Sequence, residues 1–214
     1  MASRGVDAPP PLWLTWARRL QAIAATGLEF ARDPYDTARY TEVRALASEL
    51  AARHGTADAG HLAPLLTDGV GYPTPKIEVR AALFAEGRVL LVRERDDGSW
   101  ALPGGWADVG EPPSRAVERE MVEESGWRVR AVKLFAVDDR DRHNFPPHIH
   151  SIWKLLFLCE ALDAEPGPIG HEVDAVGFFA ADALPRLSTR RTTGEQVARA
   201  FTHHADPMAP TEFD

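Results

Sequence analysis

Cysteine is nearly absent from this chain: Cys159 stands alone among 214 residues. A disulfide framework and a cysteine zinc cage are thereby excluded within one chain. Lysine is almost as scarce. Arginine outnumbers it 21 to 3, a bias read as genome composition that also supplies many planar forks for phosphate. No apolar run approaches the ~20 residues that cross a bilayer. The opening Met1-Ala2-Ser3-Arg4-Gly5, followed by Asp7, lacks an apolar core. No secretory signal is visible, and cytoplasm is the expected compartment. Basic charge is also outweighed, 24 residues against 32 acidic ones, for a net charge of -8. That disfavours a general nucleic-acid binder. An acidic protein can still hold a polyphosphate when a divalent metal supplies the positive field. What remains is a globular balance, with 44% hydrophobic and 26% charged residues.

Residues 1–11, ending in Pro9-Pro10-Pro11, read as a loose tail. From Leu12 to about His54 the pattern is helical. Trp13, Trp16, Leu20 and Ile23 recur at spacings of three and four, as one apolar stripe. Gly27 and Asp33-Pro34 break it. Tyr40, Val43, Leu46, Ala47 and Leu50 then repeat the spacing, and Gly55 stands where a C-cap is expected. This hairpin cannot bury two tryptophans alone. It covers part of its own chain or meets a second subunit. A short helical turn near His61 to Leu66 completes a helical domain over 12–66, and 67–75 is a linker. After Pro75 the period changes to two. Strands are expected at Lys76–Phe84, Arg88–Arg93, Trp100–Leu102, Trp127–Val137, Ile152–Glu160 and Val176–Ala180. Helices are expected at Pro112–Glu124 and, opened by a Thr192–Glu195 capping box, up to about His203. Residues 206–214 read as a C-terminal tail. Strands and helices interleave without a regular βαβ alternation, so the expected fold class is α/β (α+β): an α/β/α sandwich around a mixed sheet.

The stretch that carries chemistry runs from Gly105 to Trp127. Glu120, Glu123 and Glu124 stand at i, i+3 and i+4, on one helix face with Cβ atoms roughly 5–6 Å apart. Three like charges there repel unless they are solvated or share a cation. With Mg²⁺ or Mn²⁺ they become a hard-oxygen site. Val117 and Met121 form the adjacent stripe toward the sheet, which puts the carboxylates at the boundary of core and solvent. Gly104 and Gly105 allow a bare carbonyl to approach an ion. Glu111 suits the positive end of the helix dipole. Arg119 can pair with a carboxylate and hold its rotamer. The triple alone reads equally as a solvated acidic helix. The whole pattern is Gly105-x5-Glu111-x7-Arg119-Glu120-Met121-Val122-Glu123-Glu124-Ser125-Gly126-Trp127. Its seven fixed residues make a chance match about one in 10⁹ per start position.

This segment resembles the Nudix box without departure. The resemblance implies a Nudix fold over 76–205 and hydrolysis of a nucleoside diphosphate linked to another moiety, giving a nucleoside monophosphate and a phosphorylated X. It carries Glu120, Glu123 and Glu124 over as metal ligands, Gly105 as a carbonyl ligand, and Glu111 and Arg119 as supports. The cofactor implied is Mg²⁺ or Mn²⁺. Segments from Trp13 to Tyr40, with Val79-Arg80-Ala81-Ala82, Ser151-Ile152-Trp153-Lys154, Val176-Gly177-Phe178-Phe179 and Leu187-Ser188-Thr189-Arg190, are similar to the CDP-choline and ADP-ribose pyrophosphatase branch. That branch implies a homodimer built partly through the N-terminal hairpin.

Other residues are candidates of lesser specificity. Glu120, Glu123, Glu172 and Asp174 are alternative general bases. Arg80 reads as a phosphate clamp or an ordinary edge arginine, and the branch resemblance favours the clamp. Trp106 can stack on a base or simply pack. His148 and His150 share a face of a long polar loop, Asp138 to His150, where they could touch substrate or solvent. Arg190-Arg191 reads as a surface pair and Cys159 as a buried small hydrophobe. The competing functional classes are an RNA-directed enzyme of the same family, removing a cap or trimming an end, and a nucleotide-sensing module. The first needs a basic groove, which the net charge opposes. The second tolerates loss of the carboxylates, which are all present here.

Overall fold

The structure is a computed structural model and describes residues 11–54 and 72–214. The expected turn near His61–Leu66, the cap at Gly55 and the tail before residue 11 lie outside the described residues. The chain divides into two compact units. One holds the residues up to Pro75 together with Pro147–Ser151, and the other holds Lys76–Pro146 and Ile152–Asp214.

The first unit is a helical hairpin of α1 (Leu12–Phe30) and α2 (Pro34–His54). The break between them is a cap. Asp33 Oδ1 accepts hydrogen bonds from the backbone N–H groups of Tyr35 and Asp36 at 2.8 and 2.9 Å, and Pro34 takes the first helical position, where its missing N–H costs nothing. The buried residues are Leu14, Ala17, Ala24 and Ala25 of α1 and Ala47 and Ala51 of α2. This corrects the expected stripe. Small side chains let the two helices approach closely, and two bulky members of the stripe are left outside: Trp16 is 49% and Ile23 53% exposed. The Tyr40 ring lies over Gly27 so closely that a Cβ there would stand 2.3 Å from it. Pro147–Ser151 belongs to this unit because Arg18 donates to the carbonyls of His148, Ile149 and His150.

The second unit is a mixed sheet between two helices, as expected, with seven strands where the sequence suggested six. Its strands are β1 (Lys76–Ala85), β2 (Arg88–Glu94), β3 (Trp100–Ala101), β4 (Val129–Asp139), β5 (Ile152–Ala161), β6 (Val173–Phe179) and β7 (Glu212–Phe213). The order is β3-β2-β1-β5-β4-β7, with β6 added beside β2. β1 runs parallel to β5 from Lys76↔Ile152 to Leu83↔Cys159, and the other long pairings are antiparallel. Helix α3 (Pro113–Ser125) covers one face, where Val117 and Met121 meet Val79, Ala81 and Leu83. Helix α4 (Gly194–Ala205) covers the other, where Val197 and Ala200 meet Ala82, Val89 and Phe135. The period-two alternation of β1 thus feeds both cores, which is why the strand is apolar on both sides.

Two local expectations need correction. The capping box of α4 is one residue later than expected: Thr193 and Gln196 form it reciprocally. Thr192 is withdrawn from capping because its buried Oγ1 accepts from the Leu102 N–H at 3.0 Å. The expected C-terminal tail is also part of the fold. Glu212–Phe213 pairs in parallel with Ala136–Val137. Lys133 Nζ donates to the carbonyls of Pro207 and Ala209 at 3.0 and 2.7 Å. The outer edge of β4 offers unpaired backbone groups, and the last residues satisfy some of them. Among the described residues no helix is long and apolar enough to cross a membrane.

Candidate active site

Residues 103–107 run beside the start of β1 as an irregular edge. The carbonyls of Pro103 and Gly105 accept from the Ala81 and Val79 N–H groups at 2.8 Å each. Gly104 adopts φ 141°, and a Cβ there would stand 2.1 Å from the Val79 carbonyl oxygen. Only glycine fits that approach. A Cβ at Gly105 would meet Glu120 Oε1 at 2.8 Å. The glycine pair therefore turns the loop tightly against β1 and leaves room for the Glu120 carboxylate beside the Gly105 backbone.

Helix α3 ends at Gly126 in the left-handed conformation, φ 73°, and presents its carboxylates at three depths. Glu124 is buried, and its Oε2 accepts from the Gly104 N–H at 2.8 Å. Burial pushes its pKa up to about 7, while the positive charge of Arg80 opposes the shift. Glu120 lies next outward. Burial raises its pKa as well, against the pull of Arg119. Glu123 is outermost, with 57% of its side chain exposed. One guanidinium ties the outer pair together: Arg119 Nη1 donates to Glu120 Oε1 and to Glu123 Oε2, both at 2.9 Å. The other edge of Arg119 is fixed by Glu111 at 3.1–3.3 Å and by the Trp106 carbonyl at 3.2 Å. Those bonds raise the Arg119 pKa and hold the Glu111 carboxyl below its ordinary value. Glu111 and Arg119, expected from the sequence as supports, are bonded to each other here.

The donors fit a hard divalent cation. Three carboxylates and the Gly105 carbonyl, which keeps a second lone pair after accepting from Val79, are the oxygen ligands that Mg²⁺ and Mn²⁺ take. A Cβ at Gly105 would collide with the Glu120 carboxylate, so the bare glycine lets that carboxylate lie against the backbone. A single positive nitrogen already stands between Glu120 and Glu123, so this face is built to surround positive charge.

Beneath the loop lies a charged layer that sequence reasoning missed apart from Arg80. Arg80 is 4% exposed, and its Nε donates to Glu78 Oε1 at 2.7 Å and its Nη1 to the Leu102 carbonyl at 2.8 Å. It is neither an edge arginine nor presented to solvent as a clamp. It braces the loop and faces Glu124. Lys154, fully buried, donates to the same Glu78 oxygen at 2.5 Å and to the Arg191 carbonyl at 2.8 Å. Burial lowers its pKa to about 7, and repulsion from Arg80 adds to the effect of burial. Glu78 sits between the two cations and stays ionised despite its burial. Glu94 is also buried. Arg191 Nε stands 3.1 Å from its Oε1, an ion pair outside hydrogen-bond geometry. One signal for this layer was available: Lys154 is a lone cation within an apolar strand of a chain that has only three lysines.

The remaining candidates separate. Trp106 is 46% exposed, bridges to Glu78 through the backbone, and has the Lys76 ammonium 5.9 Å from its ring centroid. Glu172 is exposed on the loop before β6, and its side chain comes within 3.9 Å of His171. Asp174 is held by Arg93 at 2.6 Å, and that bond keeps its carboxyl below the ordinary range. His148 belongs to the helical unit, 5.5 Å from His150 ring to ring, and not to the unit that carries the carboxylates. Arg190 and Arg191 pair with Asp96, as a surface cluster. Cys159 is buried as expected, and burial pushes its thiol up to about 12.

The Nudix-domain profile matches residues 74–204, well over half of the chain. The chain belongs to the Nudix family. Residues 11–66 match the UDP-X-like, N-terminal oligomerisation domain found in Nudix proteins. YjhB of Bacillus subtilis (strain 168), whose name carries a provisional ADP-ribose pyrophosphatase assignment, is 39% identical over 202 residues, 94% of this chain and 97% of that protein. The crystal structure of a UDP-X diphosphatase is 33% identical and superposes with a TM-score of 0.61, covering 94% of this chain and 98% of that one. An ADP-ribose pyrophosphatase from Streptococcus suis is 39% identical with a TM-score of 0.60, over 66% of this chain and all of that one. Gly105 to Trp127, whose glycine, carboxylate and arginine contacts are described above, lies within the matched span.

Proposed function

We propose that this Nudix pyrophosphatase cleaves the diphosphate linkage of a nucleoside diphosphate joined to another moiety, of the ADP-ribose, UDP-X or CDP-choline type. The reading rests on one observation above all: three carboxylates at graded depth on one face of α3, beside the bare Gly105 backbone and braced by Arg119. The relatives named as ADP-ribose pyrophosphatases and UDP-X diphosphatase support the substrate class. Glu120, Glu123, Glu124 and the Gly105 carbonyl would hold Mg²⁺ or Mn²⁺, which when bound offsets diphosphate charge and lowers the pKa of water. Arg119 fixes the rotamers of Glu120 and Glu123. Arg80 and the Glu78–Lys154 pair hold the loop against β1. Proton acceptance falls to a carboxylate of the α3 face, Glu120 or Glu124, beside the site of the cation. Asp174 is committed to Arg93, and Glu172 lies exposed on the loop before β6. The partner surface is a homodimer through the N-terminal helices, supported by the match to an oligomerisation domain and by exposed Leu12, Trp16, Ile23 and Phe30.

Incubation with ADP-ribose, a UDP-sugar and CDP-choline, each with Mg²⁺ or Mn²⁺, tests the reading by chromatography of the products. Release of a nucleoside monophosphate with a phosphorylated second product, abolished by chelator, is expected from at least one of them. Release of a nucleoside diphosphate and unphosphorylated X, or no turnover of any, would refute it.

A further inference from the structure

At the far end of β4 a second group of metal-ligating side chains comes together from three parts of the chain. Asp138 lies near the end of the strand. His143 follows the single turn Arg140–Arg142, and Asp214 is carried in beside them by β7. One ligand atom from each lies within 4.8 Å of the others. His143 Nε2 stands 3.1 Å from Asp214 Oδ2 and 3.6 Å from Asp138 Oδ1. No residue of the group belongs to the Nudix box.

An acidic group beside an imidazole is common and is held together by a proton as often as by a metal. Two features of this one go further. Asp138 is 1% exposed and its Oδ1 has no hydrogen-bond partner. Its other oxygen is fully used, accepting from Gln196 Nε2 at 2.8 Å and Arg199 Nη2 at 2.5 Å. A buried carboxylate oxygen left without a donor is destabilising, and this one lies 3.6 Å from His143 Nε2, on the side of the group. The second feature is the ring. His143 Nε2 lies within hydrogen-bond distance of Asp214 Oδ2, at 3.1 Å, an oxygen that also accepts from the Asp139 N–H at 2.7 Å. Nδ1 lies 3.8 Å from the Glu195 carboxylate, beyond hydrogen-bond range. With the ring proton on Nδ1, the Nε2 lone pair and two carboxylate oxygens are turned toward one point. Asp138, Asp214 and Glu195 bring three negative charges, and Arg199 returns one. A divalent cation balances the remaining two.

We infer that Asp138, His143 and Asp214 bind a divalent transition cation of the Mn²⁺ or Zn²⁺ class, with the Glu195 carboxylate on the Nδ1 side of the imidazole. The mixed oxygen and nitrogen donors favour these ions over Mg²⁺, which prefers oxygen alone. The cation ties the terminal strand β7 to the end of β4. Ligation stabilises the folded chain by mass action in proportion to metal concentration.

Pulsed electron paramagnetic resonance on the chelator-treated full chain, reloaded with Mn²⁺, tests this without reference to turnover. The α3 carboxylates supply oxygen donors alone, so a directly coordinated imidazole nitrogen reports the second site. The wild type should show that nitrogen, and His143→Gln should abolish it while keeping the oxygen-ligated Mn²⁺. Asp214→Asn, at an exposed terminal position that leaves Asp138 with Arg199, should weaken the nitrogen-bearing site at least tenfold. It serves also if His143→Gln fails to fold. Absence of coordinated nitrogen in the wild type at excess Mn²⁺ would overturn the inference. So would a nitrogen signal that survives His143→Gln, or unchanged affinity in Asp214→Asn.

Discussion

Arg119 touches four groups at once, and its removal should be felt in metal affinity before it is felt in folding. Its guanidinium is the only cation bonded to Glu120 and Glu123 among the described contacts, and Glu111 and the Trp106 carbonyl fix it from behind. Arg119→Ala should lower turnover and divalent-metal affinity together, by about 10- to 100-fold, with the melting temperature little changed. Metal titration monitored beside activity checks this. Glu124 gives a prediction in pH. Its carboxyl titrates at about 7 in the folded chain against an ordinary value of 4.5. Between those values the folded state holds a proton that the unfolded state has lost. In chelator, stability therefore falls as pH rises from 4.5 through 7, by on the order of 3 kcal/mol at most, and levels off above. Glu124→Gln should flatten that slope. Added Mg²⁺ should oppose it, because ligation needs the ionised form and tightens as pH rises toward 7. Melting temperature against pH, with and without Mg²⁺, measures both arms.

At the scale of elements, what could be read in advance follows the range of the interactions. Helix α3 and its carboxylate face were readable because the 3.6 period, the glycine at its end and the spacing of the box are all written within 23 residues. β1 and β5 announced themselves by apolar runs. The buried layer of Glu78, Glu94 and Lys154 was not readable, because the Lys154–Glu78 and Arg191–Glu94 pairs join residues distant in sequence, and burial cannot be inferred before pairing is known. β7 was hidden for the same reason: two residues pair only because β4 leaves an edge. The capping box of α4 shows the limit most clearly, since Thr192 and Thr193 fit the pattern equally and a contact with Leu102, 90 positions away, decides between them. Thr193→Ala should cost about 1 kcal/mol as the loss of a cap. Thr192→Val should cost about 1–3 kcal/mol by stranding the buried Leu102 N–H. Denaturant melts of the two variants check the assignment, and the reverse order would refute it.

For the molecule as a whole, the helical unit buries mostly alanines, together with Leu14, and leaves a set of large apolar residues outside. Leu12, Trp16, Ile23 and Phe30 fall at spacings of four and seven, one stripe along α1. A stripe of that kind on an isolated hairpin needs a cover. The full chain should sediment as a dimer, and Trp16→Glu combined with Ile23→Glu should shift it to monomer. Light scattering after gel filtration reads the mass directly. The central claim belongs to the sheet unit: the α3 face holds a divalent cation and cleaves a diphosphate. The most direct test is the rate of nucleoside monophosphate release from the best nucleoside diphosphate substrate, with Mg²⁺, by the wild type and by Glu120→Gln. The account predicts turnover that falls by about 100-fold or more in a variant whose circular dichroism is unchanged. A folded Glu120→Gln that turns over at the wild-type rate would contradict it.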